Sequence, residues 1–326
     1  MTTAMPPAHF VATNGIQMAV YEAGPADSAY PPIILCHGFP ELAFSWRHQI
    51  RDLAAQGFRV FAPDQRGYGA TEAPVGVESY DIEHLLGDLV GLLDAKGIDR
   101  AVFCGHDWGG FVVWAMGQRH PERVAGVIGV NTPFTKRSPV DPIALYRKRF
   151  GDDMYIVFFQ EPDKAEAVFE SDIDKTFRYF MRKSDVSQQS FEARPAERRS
   201  LALQDGLAHF DPAKDTQQLL SDEERAVFVD AFTRTGFRGG INWYRNFTRN
   251  WERSASVPDH VAAPSLMIMA ENDVVLPPSA ADGMEAYVPN LKKILIRGSG
   301  HWTQQEKPEE TTEAIAGWMR ATFGGA

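Results

Sequence analysis

Asp107 stands in the run Val102-Phe103-Cys104-Gly105-His106-Asp107-Trp108-Gly109-Gly110-Phe111, an apolar strand that passes through a small-x-acid-x-small turn into a helix. Gly105 and Gly109 omit side chains where strand and helix nearly collide, so the residue between them can be held in a strained conformation with its functional group projecting. This is the layout of a nucleophile elbow, with a carboxylate where serine is usual. The plainer reading is an aspartate capping a helix, which free N–H groups and the helix dipole favour. Two distant residues count against it. Asp273 follows the apolar run Ser265-Leu266-Met267-Ile268-Met269-Ala270, and His301 follows Lys293-Ile294-Leu295-Ile296 within Gly298-Ser299-Gly300-His301-Trp302. Each sits just past a predicted strand, in the chain order nucleophile, acid, histidine. Asp107 is read as nucleophile, His301 as base and Asp273 as the carboxylate that orients the base.

A carboxylate is suited to displacement at saturated carbon, whereas a serine alkoxide attacks acyl carbonyls. The product of such a displacement is an alkyl ester whose carbonyl belongs to the protein. Water activated by His301 would then attack that carbonyl, and the resulting oxyanion needs donors. The turn Cys36-His37-Gly38-Phe39-Pro40 follows another predicted strand, and the Phe39 N–H joins the Trp108 N–H as the expected oxyanion hole. Pro40 is expected to follow a cis peptide bond.

These groups require a sheet whose strands all end at one edge. Apolar runs at 32–36, 58–62, 101–104, 124–130 and 265–270 suit central parallel strands covered on both faces. The stretch 80–96 carries Ile82, Leu85, Leu86, Leu89, Leu92 and Leu93 at helical spacing, with Gly97 as a stop signal. Alternation around Asn14-Gly15 reads as a tight hairpin near the N-terminus. The pattern is α/β with right-handed crossovers, a mostly parallel sheet flanked by helices. Strand signals stop over 134–259, which is richer in charged and aromatic residues and reads as an inserted helical cap. The core is then 1–133 and 260–326.

Of the 326 residues 44% are hydrophobic and 23% charged, a balance that argues for a compact globular chain over a disordered or fibrous one. A formal charge of −10 leaves no basic field for phosphate backbones or anionic lipid, so neither nucleic acid nor membrane is expected as a partner. No basic and apolar leader and no membrane-length apolar run is seen, and a cytoplasmic location is expected. Cys36 and Cys104 both end apolar runs and are read as reduced structural thiols, with no metal site and no cofactor.

The sequence resembles the soluble epoxide hydrolases of the α/β-hydrolase superfamily from about Phe10 to the C-terminal helix. The motifs that carry the resemblance are His37-Gly38-Phe39-Pro40-Glu41, Asp64-Gln65-Arg66-Gly67-Tyr68-Gly69, Gly105-His106-Asp107-Trp108-Gly109-Gly110, Phe159-Gln160-Glu161-Pro162, Gly236-Phe237-Arg238-Gly239-Gly240-Ile241-Asn242-Trp243-Tyr244-Arg245-Asn246 and Gly300-His301-Trp302. The resemblance implies the α/β-hydrolase fold, water and a small hydrophobic epoxide as substrates, and two cap tyrosines that protonate the epoxide oxygen. The matching positions are Tyr155 and Tyr244, with Tyr179 as a rival to Tyr155. Phe39, Trp108, Phe134, Phe158 and Trp302 are expected to line an apolar pocket. A haloalkane dehalogenase shares the Asp-His-Asp arrangement but needs two donors to the leaving halide. Trp108 is a candidate for one of them, and Phe39 stands where such enzymes use Asn. A ligand receptor on the same fold would show a damaged triad. No oligomeric state is specified.

Overall fold

The structure is a computed structural model that describes residues 4–183, 186–195 and 201–325. Its centre is an eight-stranded sheet in the order β1-β2-β4-β3-β5-β6-β7-β8. The strands are β1 (Ala8–Thr13), β2 (Ile16–Ala23), β3 (Ile33–Cys36), β4 (Val60–Pro63), β5 (Ala101–His106), β6 (Val124–Val130), β7 (Ser265–Ala270) and β8 (Leu291–Ile296). β1 and β2 form the hairpin, with Asn14 at φ 43 and Gly15 at φ 79 between the paired Thr13 and Ile16. Positive φ at both turn residues matches the right-handed twist of the strands. β2 runs antiparallel to β4, and β4, β3, β5, β6, β7 and β8 are mutually parallel.

Every residue of β3, β4 and β5 is buried, as expected of strands with helices on both faces. Alternate residues divide between the two layers. Ile33, Leu35, Val102 and Cys104 pack with Trp46, Ile315 and Trp318, whereas Ile34, Cys36 and Phe103 pack with Leu86, Leu89 and Val112. One layer is thus α1 (Arg47–Ala55) and the C-terminal helix, and the other is α2 (Ile82–Ala95) and α3 (Trp108–Arg119). α2 starts where Asp81 accepts the His84 N–H at 3.1 Å and ends before Gly97 at φ 62, the N-cap and glycine stop that bound such a helix.

Between β6 and β7 the regular structure among the described residues is helical, joined by irregular links, with one isolated bridge between Arg182 and Gln218. The helices are α4 (Pro142–Phe150), α5 (Tyr155–Phe158), α6 (Lys164–Glu170), α7 (Ile173–Phe180), α8 (Gln188–Glu192), α9 (Leu203–His209), α10 (Asp222–Thr235), α11 (Arg238–Arg245) and α12 (Phe247–Arg253). After β8 come α13 (Thr303–Glu306) and α14 (Pro308–Phe323).

Polar ties anchor this insertion to the rest of the chain. Arg47 of α1 meets Glu224 of α10 at 2.8 Å, and Arg249 and Arg253 of α12 both reach the buried Asp81 at 2.9 Å. The Trp302 indole donates to the Phe180 carbonyl at 2.7 Å. No helix among the described residues is long and apolar enough to cross a membrane.

Candidate active site

Asp107 lies between β5 and α3 with φ 50 and ψ −120, a backbone conformation that costs an L-residue strain energy and persists only when its surroundings enforce it. The glycines beside it explain the enforcement. A Cβ on Gly109 would stand 2.1 Å from the Cys36 carbonyl oxygen, and one on Gly105 2.1 Å from the Gly109 oxygen. On Gly38 it would meet the Asp107 side chain at 2.5 Å. Strand, helix and the turn after β3 therefore touch backbone to backbone. The Asp107 side chain makes no capping bond to α3, so the plain helix-cap role is not the one it fills. Because the obstruction at Gly109 is main chain, Gly109→Ala should destabilise the protein by about 3 kcal/mol or more. A denaturant midpoint close to the parental value would contradict this account of the elbow.

The carboxylate oxygens of Asp107 have different surroundings. Oδ1 accepts the Phe39 N–H at 2.9 Å, and the nearby Trp108 N–H favours the ionised carboxylate. Oδ2 faces His301 Nε2 at 3.8 Å. Burial pushes the Asp107 carboxyl above its ordinary range, opposed by His301, His106 and the two amides. The Phe39-Pro40 bond of the turn is cis, as the sequence led us to expect.

His301 Nδ1 lies 2.9 Å from Asp273 Oδ2. The other oxygen of Asp273 accepts the Val275 and Leu276 N–H groups at 2.9 and 3.0 Å. Burial opposes charge on both partners, but mutual attraction outweighs it. Asp273 is held well below the usual carboxylate range, aided by the Asn131 amide and Leu276 N–H. His301 is raised to about 9, against burial, by Asp273 and then Asp107. Asp273 and Asp107 thus both favour the imidazolium form of His301.

Several side chains fix the loop that presents His301. Glu306 accepts the Gly300 and Trp302 N–H groups, each at 3.0 Å. His106 is buried between Glu41 Oε2 at 2.7 Å and the His301 carbonyl at 2.7 Å. Asn131, with φ 62 just past β6, donates to Asp273 Oδ2 at 2.6 Å and lies 3.1 Å from the His301 carbonyl. Sequence reasoning missed Asn131; its place at a strand end beside Pro133 was visible, but an asparagine there also fits an ordinary turn. Asn131→Leu should leave Asp273 less firmly held, so His301 should titrate closer to its ordinary value. A histidine titration followed by NMR reads that shift, and an unchanged titration would contradict the role.

A cavity of about 440 Å³ opens above Asp107 and His301. Phe39, Tyr155, Tyr179, Phe180, Tyr244 and Trp302 line it. The Tyr155 and Tyr244 rings lie 5.8 Å apart. Burial, and then the Asp107 carboxylate, push both hydroxyls well above the usual phenol range, so both remain protonated donors. The Tyr179 hydroxyl is turned toward Gly206, where a Cβ would stand 2.0 Å from it. Its titration is pushed up by burial and by Asp205 against Arg182, with no contribution from Asp107. The structure brings Tyr155 and Tyr244, not Tyr179, into the field of Asp107.

Three of the expected pocket residues do not line this cavity. Trp108 is buried and packs on Trp243, Tyr244 and Phe247. Phe134 packs on Trp114 and Tyr287, because the chain leaving β6 runs over α3 before it reaches the insertion. Phe158, three residues after Tyr155, lines a separate hollow with Val168 and Leu207. Tyr179, Phe180, Leu201, Val274 and Val275 complete the apolar wall instead.

Sheet order, elbow and the Asp-His-Asp set at the strand ends define an α/β hydrolase, and the model of the alpha/beta hydrolase fold family matches residues 31–308. The chain is 43% identical over 320 residues to Epoxide hydrolase A of Mycobacterium tuberculosis, covering 95% of this chain and 96% of that protein. It is 40% identical over 307 residues to Bifunctional epoxide hydrolase 2 of Sus scrofa, of which it spans 53%. The crystal structure of Epoxide Hydrolase A from Mycobacterium thermoresistibile superposes with a TM-score of 0.83 at 39% identity, covering 97% of this chain and 98% of that one. The chain belongs to the epoxide hydrolases of the α/β-hydrolase fold.

Proposed function

We propose that this chain converts a hydrophobic epoxide and water to a vicinal diol through an alkyl ester on Asp107. The observation that carries the reading is the division of labour between the Asp107 oxygens. Oδ1 already lies on the Phe39 N–H, while Oδ2 faces His301 and the cavity. Attack by Oδ2 on an epoxide carbon breaks the ring C–O bond, and the electron pair goes to the ring oxygen. Tyr155 and Tyr244 hydrogen-bond that oxygen and one supplies its proton, which a buried phenol can do as negative charge develops beside it. Oδ1 then becomes the ester carbonyl without leaving its donors. When water attacks the ester carbon, the developing oxyanion sits on the Phe39 and Trp108 amides. Collapse of the tetrahedral species breaks the bond from the Asp107 carboxyl carbon to Oδ2, His301 returns the proton it took from water to the departing diol oxygen, and the proton left on the carboxyl restores the tyrosine. Helices of 134–259 act as the cap that supplies the tyrosines and excludes bulk water.

The charge of His301 is coupled to this sequence. Asp107 helps hold the imidazolium in the resting protein, and esterification removes that charge. His301 should therefore titrate below about 9 in the ester form, which frees it to act as base near neutral pH. Two opposite pH limits follow. Alkylation should fall as pH drops through the raised titration of Asp107, because the protonated acid is a poor nucleophile. Ester hydrolysis should rise with pH as His301 loses its proton. Single-turnover rates against pH check both signs; a hydrolysis rate independent of pH across this window would contradict the base role.

Halide displacement is the second reading, favoured by the same Asp-His-Asp set. It requires donors to a leaving anion, and the Trp108 side chain that would serve does not line the cavity. A hydroxyl pair suits an opening oxirane better, since that leaving group must be protonated. Incubation with styrene oxide, a chlorinated alkane and an aromatic ester tests the assignment. Diol from the first alone is expected; halide release without diol would overturn it, and binding without turnover would favour a receptor.

A further inference from the structure

Tyr155 and Tyr244 belong to different helices, and one of those helices is a single turn. α5 has 4 residues, far below the length at which a helix holds itself together in water, and the carbonyls at such a helix end lack partners within it. Its orientation must come from neighbours. The Gln160 side-chain Nε2 donates to the Ile156 carbonyl at 2.9 Å and to the Tyr244 carbonyl at 3.0 Å. Its two amide hydrogens are thereby divided between the helix of one tyrosine and the helix of the other. Arg245 ties the same segments in the opposite direction. Its Nε donates to the Phe159 carbonyl at 3.0 Å and a terminal nitrogen to the Glu161 carbonyl at 3.1 Å. The guanidinium is itself fixed on Glu166 at 2.7 and 3.0 Å. Between the two ties the Phe159 ring lies edge-on to both tyrosines, with centroids 5.6 Å from Tyr155 and 4.9 Å from Tyr244.

We propose that Gln160, seconded by Arg245, is a positioning residue for ring opening, one that sets the separation and aim of the two tyrosine hydroxyls by stapling α5 to α11. The proposal rests on the reading of Tyr155 and Tyr244 as the acid pair. Neither Gln160 nor Arg245 lines the cavity, so both act through the tyrosines. Two hydroxyls that must meet one epoxide oxygen tolerate little displacement, and an error of about 1 Å costs roughly a hundredfold in rate. Ester hydrolysis uses Asp107, His301 and the amide donors on the core side, so it should not feel the staple.

The test is Gln160→Met, which keeps the length of the side chain and removes both donors. Pre-steady-state kinetics should show alkylation slowed roughly ten- to a hundredfold, with hydrolysis of the formed ester unchanged. In a Tyr155→Phe/Tyr244→Phe background the same substitution should cost nothing further. Should Gln160→Met fail to fold, Arg245→Lys carries the same expected split, because lysine keeps the charge on Glu166 and loses the fork to the two carbonyls. Unchanged alkylation in a folded variant, or equal loss in both steps, overturns the proposal while leaving the acid pair standing. If the double tyrosine variant itself opens epoxides at the parental rate, the acid pair fails and this proposal with it.

Discussion

In a His301→Gln variant an alkyl-enzyme should form on contact with an epoxide and persist. The substitution removes the group that takes the proton from water, while Asp107 keeps its elbow and its contact with the Phe39 amide at 2.9 Å. General-base assistance contributes about 10²- to 10⁴-fold, so hydrolysis of the ester should slow by that amount. Glutamine also removes the imidazolium that opposes the burial of Asp107. Alkylation by the variant should accordingly need a higher pH than in the parent, because the carboxyl then ionises less readily. Intact-protein mass spectrometry should show the mass of one added epoxide, located on the peptide holding Asp107. A folded variant that gains no mass would contradict the two-step scheme.

The Tyr155→Phe/Tyr244→Phe variant should be blocked at the other step. Each substitution deletes one hydroxyl and leaves a ring of nearly the same shape in a packed cluster, so the fold should survive. Acid assistance to an alkoxide leaving group is worth about 10²- to 10⁴-fold. Either single variant should retain partial alkylation and the double variant almost none, since the surviving hydroxyl can still donate in the singles. Tyr179→Phe should stay close to the parental rate, its hydroxyl being turned toward Gly206. Burst measurements with excess enzyme read alkylation directly, and a double variant that turns over at the parental rate would remove these tyrosines from the chemistry.

The core was legible because its signals are local. The apolar runs at 32–36, 58–62, 101–104, 124–130 and 265–270 became β3 to β7, and the leucine spacing before Gly97 became α2. Asp107, Asp273 and His301 were found because each follows a strand, and the backbone of a parallel sheet brings strand ends to one edge. What was not legible depends on packing between distant segments. Phe158 shares a one-turn helix with Tyr155, and on so short a helix no period tells which side chains meet the cavity. Phe134 and Trp108 were assigned to the pocket for their size, whereas their rings are absorbed by Trp114, Tyr287, Trp243 and Phe247. Asn131 and Gln160 act through hydrogen bonds to main-chain groups far along the chain, Glu306 closes on two amides of its own loop, and polar residues at helix ends and turns look alike in sequence.

The path of one oxygen atom tests the central claim most directly. Water attacking the carbonyl carbon of the Asp107 ester releases Oδ2 with the product, so the diol of the first turnover carries an oxygen from the protein. In a single turnover with enzyme in excess in heavy-oxygen water, the account predicts unlabelled diol and one heavy oxygen in the Asp107 peptide. Labelled diol should then appear in later turnovers as the marked carboxylate is used again. Fully labelled diol in the first turnover, with an unlabelled Asp107 peptide, would contradict the account, since water would have attacked the epoxide itself and the amides beside Asp107 would have had no ester carbonyl to stabilise.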